Sequence, residues 1–169
     1  MLTKKPTRDV ALNRIAAQCA RSEYCPSEVH DKFLKMGFSP TEADEMLQKL
    51  IDDRFVDEAR YVRAFVRDKS LYDRWGQVKI RYALRNKRID DDLIERQLEE
   101  AFDETNYLDR LRALLQQKLR TMSQPLTPTD RAKLYRFAAQ RGYESRYVTQ
   151  AFHRLGDCDD EEAYPTDEL

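Results

Sequence analysis

The sequence predicts an all-α protein, an elongated array of three tandem three-helix repeat units. Apolar residues recur at helical spacing through almost the whole chain of 169 residues. Breakers fall at short intervals and cut it into pieces of roughly 10–17 residues. A weak internal repeat of about 50 residues lies over this pattern, a period at which helical arrays are expected.

The first unit, residues 8–56, opens with a helix over about 8–24. Its second helix carries Phe33-Leu34-Lys35-Met36 and stops at Gly37, where a left-handed residue ends the helix and Phe38 folds back on the last turn. Ser39-Pro40-Thr41-Glu42 then starts a third. Ser39 accepts from free backbone N–H groups, Pro40 loses nothing at the first helical position, and Glu42 closes a capping box. Met46, Leu47 and Leu50 are its apolar positions.

The second unit, 57–104, repeats the plan with a helix over 57–71, a second ending in Leu84-Arg85-Asn86-Lys87-Arg88-Ile89, and a third built on Ile94, Leu98 and Ala101. The third unit, 105–155, has helices over 105–121 and up to Ala138-Ala139-Gln140-Arg141-Gly142-Tyr143, then a last one carrying Val148, Ala151 and Phe152. Thr127-Pro128-Thr129-Asp130 has the same form as the Ser39 start signal. Residues 122–126 read as a loop inside this unit. Residues 156–169, acidic and nearly free of apolar groups, read as a disordered tail.

Composition narrows the function. Only four glycines occur, Gly37, Gly76, Gly142 and Gly156, so neither GxGxxG nor GxxxxGK[ST] can be written. Cys19, Cys25 and Cys158 show no CxxC spacing, which argues against a disulfide framework or a zinc site and fits a reducing cytoplasm. The apolar run Ile15–Ala20 is far shorter than a membrane span of about 20 residues. A soluble protein without cofactor, metal, membrane or small-molecule substrate is expected.

The net charge of −1 conceals a strong segregation. Residues 60–88 hold ten Lys/Arg against two Asp/Glu, and 90–104 hold eight acids against one base. Residues 110–154 are basic again, ten to two, and the tail carries seven acids and no base. Within 57–71, Ala59, Val62, Phe65 and Val66 form one face, while Arg60, Arg63 and Arg67 form a stripe on another. In the next helix Val78, Ile80, Ala83 and Leu84 are the apolar positions, and Arg81, Arg85 and Arg88 make a second stripe. Planar, permanently charged guanidinium groups suit a nucleic-acid backbone or an acidic protein groove. The competing reading is a solvated face neutralised by the acidic helix that follows.

Trp75-Gly76 lies between the two basic helices. Gly76 is read as permitting a tight turn and Trp75 as capping the core, with base stacking by Trp75 the lesser alternative. Tyr61, Tyr72 and Tyr82 share that ambiguity as half-buried rings with a hydroxyl at the rim. No catalytic constellation emerges. His30 and His153 lie in different units and read as exposed helix histidines. Asp52-Asp53 and Asp90-Asp91-Asp92 read as helix-start capping rather than metal ligation, because adjacent helical residues diverge by about 100°.

The stretch Leu50-Ile51-Asp52-Asp53-Arg54-Phe55-Val56-Asp57-Glu58-Ala59-Arg60-Tyr61-Val62, followed by Trp75-Gly76, Ile80 and Leu84-Arg85-Asn86-Lys87-Arg88-Ile89, resembles the central signature of the RecX family of recombination regulators. The likeness covers roughly residues 8–155. Arg88 stands where the signature usually has Gly, and the acidic tail lies outside the common core.

A cytoplasmic monomer is expected, and the resemblance implies a modulator, not an enzyme, that binds the RecA recombinase mainly as its filament on single-stranded DNA. It implies suppression of strand exchange and ATP hydrolysis from within the filament groove, and filament disassembly. The candidate contact residues are Arg60, Arg63, Arg67, Arg74, Trp75, Lys79, Arg81, Arg85, Lys87 and Arg88. Reversing Arg81, Arg85 and Arg88 to Glu is expected to weaken filament binding and to change thermal stability little. The alternatives are a stand-alone helical nucleic-acid-binding protein, which needs a base-reading helix face where only Gln77 and Asn86 offer themselves, and an adaptor for proteins alone.

Overall fold

The computed structural model describes residues 5–122 and 125–154; the acidic tail 156–169, with Cys158, lies outside the described residues. The described chain is an all-α array of three-helix repeats, with nine helices and no strand among those residues. In order they are α1 Arg8–Cys19, α2 Pro26–Lys35, α3 Pro40–Asp52, α4 Glu58–Leu71, α5 Gln77–Arg85, α6 Asp91–Ala101, α7 Glu104–Leu119, α8 Pro128–Gln140 and α9 Ser145–Arg154.

The helix starts form where local chemistry directs. Ser39 Oγ accepts from Glu42 N at 3.2 Å while the Glu42 carboxylate accepts from Ser39 N at 2.8 Å. Thr127 and Asp130 close the same reciprocal pair at 3.2 and 3.3 Å. A third box, Cys25-Pro26-Ser27-Glu28, starts α2, with Glu28 accepting from Cys25 N at 3.2 Å. α1 ends at Cys19, five residues before the boundary predicted at 24, and the box keeps any helix from running on through Cys25. The residue before a proline is driven out of the α region, and Cys25 is accordingly extended at ψ 156°.

The stops repeat with one geometry. Gly37 N donates to Leu34 O and Phe38 N to Phe33 O. Arg88 and Ile89 donate in the same way to Arg85 and Leu84, and Gly142 and Tyr143 to Ala139 and Ala138. This is the αL stop that satisfies otherwise free carbonyls. Phe33, Leu84 and Ala138, the acceptors four residues before each left-handed residue, are fully buried, and Phe38, Ile89 and Tyr143 are buried with them. The three aligned sequence segments therefore superimpose in backbone conformation as well as in pattern. Arg88 takes the left-handed position at φ 61°, where Gly37 and Gly142 have φ 90° and 88°.

Two expectations about polar residues are corrected. Asp52 is the last residue of α3 and Asp53 its C-cap, so this pair stands at a helix end. Gln48 donates to Asp52, and Lys49 lies 3.4 Å from Asp53, which supplies the compensation the position needs. In the other run Asp90 does stand at a helix start, accepting from Asp92 N at 3.0 Å. His30 is not a solvent-exposed helix histidine. It is partly buried, with Nε2 3.2 Å from Asp44 and Nδ1 3.8 Å from Asp31.

The chain divides into two compact units, Met1–Asp73 with Ile80–Ala101, and Arg74–Lys79 with Phe102–Leu169. In the first, α3 packs on α1 and α2, and α4 packs on α6. One core there gathers Ile15, Phe33, Met46, Leu50 and Val56. In the second, α7, α8 and α9 pack on one another around Leu111, Leu115, Leu134, Val148 and Phe152. Burying such a side chain contributes about 1.5–3 kcal/mol.

The second unit also holds the start of α5. Gly76 N donates to Arg141 O at 2.7 Å, Gln77 N to the Tyr107 hydroxyl at 3.1 Å and Val78 N to Gly142 O at 3.1 Å. Tyr107 donates in turn to Glu144 at 2.6 Å, and burial together with that bond raises its pKa above the usual tyrosine value. Gly76 is required by this docking rather than by turn conformation. A Cβ there would overlap the Gly142 carbonyl and lie 2.6 Å from Tyr143 N.

Candidate nucleoprotein interface

The ten candidate residues do not share one role. Arg60 is used within the first unit. Its Nε donates to Glu23 at 2.6 Å, and its terminal nitrogens reach the carbonyls of Arg54 and Phe55 at 3.3–3.5 Å. It thereby fastens the α3–α4 turn to the segment between α1 and α2. Lys87 is similarly engaged, paired with Glu28 and with its ammonium 5.7 Å from the Tyr61 ring centre. Partial burial lowers its pKa, but the bonds to Glu28 and Tyr61 outweigh that and hold it above the ordinary lysine value. Ser27 donates to Lys87 O at 2.7 Å, so both ends of the residue are held.

Arg81 and Arg85 lie on the outer side of α5, but each meets a carboxylate of α6. Arg81 binds Glu95 through two bonds of 2.5 and 2.8 Å. Arg85 binds Asp91 through two of 2.7 and 3.1 Å. The guanidinium groups hold both carboxylates below their usual range. The acidic helix thus neutralises the second stripe. Reversing these arginines would therefore set like charges together as well as remove positive ones: Glu at 81 would face Glu95, and Glu at 85 would face Asp91. Arg88 does not continue the stripe, because α5 ends at Arg85 and Arg88 is in the left-handed turn beyond it.

Arg63 and Arg88 are exposed and have no ion pair or side-chain hydrogen bond among the described residues. Arg67 is exposed beside its neighbour Asp68 at 3.2 Å. In the second unit Arg74 donates to Gln117, and Lys79 donates to Gln140 O at 3.3 Å with its ammonium 4.6 Å above the half-buried Trp75 ring. The N–H groups of Gly76, Gln77 and Val78 at the start of α5 already donate to protein oxygens and are not available to an anion.

The tyrosines separate as well. Tyr61 is buried, whereas Tyr72 is 79% and Tyr82 68% exposed. Val78, expected among the apolar core positions, is 47% exposed. Glu23 and Glu28, which engage two of the predicted cations, were not singled out from sequence. Glu28 had a signal: Cys25-Pro26-Ser27-Glu28 has the spacing of the Ser39 box. Glu23 stands 37 residues from Arg60 and had none. No group of three or more His, Cys, Asp or Glu able to hold a metal ion occurs among the described residues, and none of their helices is long and apolar enough to cross a membrane. His153 is exposed.

Comparison with known proteins adds to this picture. Residues 57–98 match the family model described as RecX, second three-helix domain, and residues 104–152 match that described as RecX, third three-helix domain. The chain is 28% identical to the Regulatory protein RecX of Prosthecochloris aestuarii over 149 residues, covering 86% of this chain and 93% of that one. To the protein of the same name from Pseudomonas putida it is 31% identical over 135 residues, 79% of this chain and 84% of that one. In fold it is similar to the crystal structure of RecX from Lactobacillus salivarius, with a TM-score of 0.78 at 18% identity, over 88% of this chain and 96% of that one.

Proposed function

The chain belongs to the RecX family of regulatory proteins, and from that premise we propose that it regulates the RecA recombinase in the cytoplasm by binding its filament on single-stranded DNA. Binding lowers the recombinase's ATP hydrolysis and strand exchange and favours filament disassembly. The observation that carries this reading is the match of two successive RecX three-helix domains over 57–98 and 104–152. The distribution of charge supports it. Arg63 and Arg88, with Arg67 beside them in exposure, are available to phosphate. Arg60 and Lys87 hold the scaffold that carries them. The protein performs no chemistry of its own in this reading.

Three baits test it: bare single-stranded DNA, free recombinase, and the filament of the two together. Preference for the filament, with a fall in the recombinase's DNA-dependent ATPase rate and no hydrolysis by the protein alone, is expected. Equal binding to bare DNA and filament points instead to a stand-alone nucleic-acid binder. Binding to none of the three removes the reading, as does ATP hydrolysis that survives clean purification.

A further inference from the structure

The α5–α6 surface of the first unit combines an exposed aromatic ring with arginines whose charge is already balanced. Tyr82 stands on α5 between Arg81 and Arg85, with 68% of its surface open and no side-chain hydrogen bond or ring contact among the described residues. We propose that this surface, centred on Tyr82, docks on protein: an apolar, near-neutral patch of a recombinase protomer, not the nucleic-acid backbone. The inference rests on the filament being the partner and says which component of the filament this face meets.

Charge decides between the two. Glu95 and Asp91 lie 2.5–3.1 Å from the guanidinium groups and are themselves partly exposed, so the face alternates acid and base and carries no net attraction for a polyanion. A base could stack on Tyr82 only by bringing its phosphate close to those carboxylates. A protein patch brings no such charge. Tyrosine and arginine are also the side chains that most often anchor protein interfaces, and two-point ion pairs hold Arg81 and Arg85 in place before a partner arrives. The unpaired cations Arg63 and Arg88 are left for phosphate, so the two kinds of contact separate by residue.

The test uses the full chain with Tyr82→Ser, Tyr82→Phe and the parent, against bare single-stranded DNA and preassembled filament, each variant checked by thermal melting. Tyr82→Ser is expected to lower filament affinity by about tenfold, the effect of losing one anchor residue. Its affinity for bare DNA and its melting midpoint should match the parent, and Tyr82→Phe should retain most filament binding. An equal loss on bare DNA would make the ring a base-stacking platform and overturn the inference. Unchanged filament binding by Tyr82→Ser would overturn it while leaving the proposed function standing. A parent that fails to bind the filament defeats both.

Discussion

Arg88 occupies a position that two sister turns give to glycine. All three turns make the same pair of backbone hydrogen bonds, but an L-residue in the left-handed region places its Cβ against the following carbonyl, at about 1–2 kcal/mol. Arg88→Gly relieves that strain and returns some of it through the larger entropy of the unfolded chain. The expected net gain is about 0.5–1 kcal/mol, read as a higher urea midpoint with an unchanged slope. A neutral or lower midpoint would mean that the Arg88 side chain contributes more to the fold than its open position indicates. Gly76 is the opposite case. Gly76→Ala drives a methyl group into the Gly142 peptide, where backbone meets backbone and neither side chain can move aside, and a loss of roughly 1–3 kcal/mol is expected from the same melt.

Among the elements, most helix ends and apolar faces were legible, Met46, Leu50, Ile80, Leu84, Ile94 and Leu98 all being buried as expected, and the partners of the charged side chains were not. Ser39–Glu42 and Thr127–Asp130 are read from residues three apart, and the stops at Gly37 and Gly142 from one glycine and the aromatic after it. The pairs that decide which arginines are free span 14 residues for Arg81–Glu95 and 37 for Arg60–Glu23, distances at which helical periodicity is silent. Val78 fits an apolar face by spacing, but the start of α5 is turned by three tertiary hydrogen bonds that no local pattern encodes. The Thr127–Asp130 box also has a pH signature. Hydrogen bonds from the Thr127 side chain, then Lys133, hold the Asp130 carboxyl down at about 2. Since its folded pKa lies below the ordinary aspartate value of 3.8, its contribution to stability is complete above that value and is lost as pH falls toward 2. Asp130→Asn should lower stability at neutral pH and flatten the acid limb of the pH–stability curve between about 4 and 2. A parallel downward shift of the whole curve would contradict this.

Across the molecule, free and balanced cations predict different salt behaviour. Replacing Arg63 and Arg88 with Gln should weaken binding to bare single-stranded DNA and reduce the slope of log affinity against log salt by about 1–2, since each removes one candidate phosphate contact. Replacing Arg81 and Arg85 with Gln should leave that slope alone and lower the melting midpoint slightly, because each change removes a two-point ion pair between α5 and α6. An equal effect of both pairs on the slope would show that the α6 carboxylates yield to phosphate.

The docking of the first turn of α5 against the end of α8 also bears on how the chain is made. Lys79 donates to Gln140 across 61 residues, and Gly76 and Val78 to Arg141 and Gly142 just beyond. At a synthesis rate of about 5–20 residues per second, the start of α5 leaves the ribosome roughly 3–12 seconds before Gln140, Arg141 and Gly142 follow it. During that interval the nascent chain has the beginning of α5 open to water or to a chaperone, and only the arrival of Gly142 closes it.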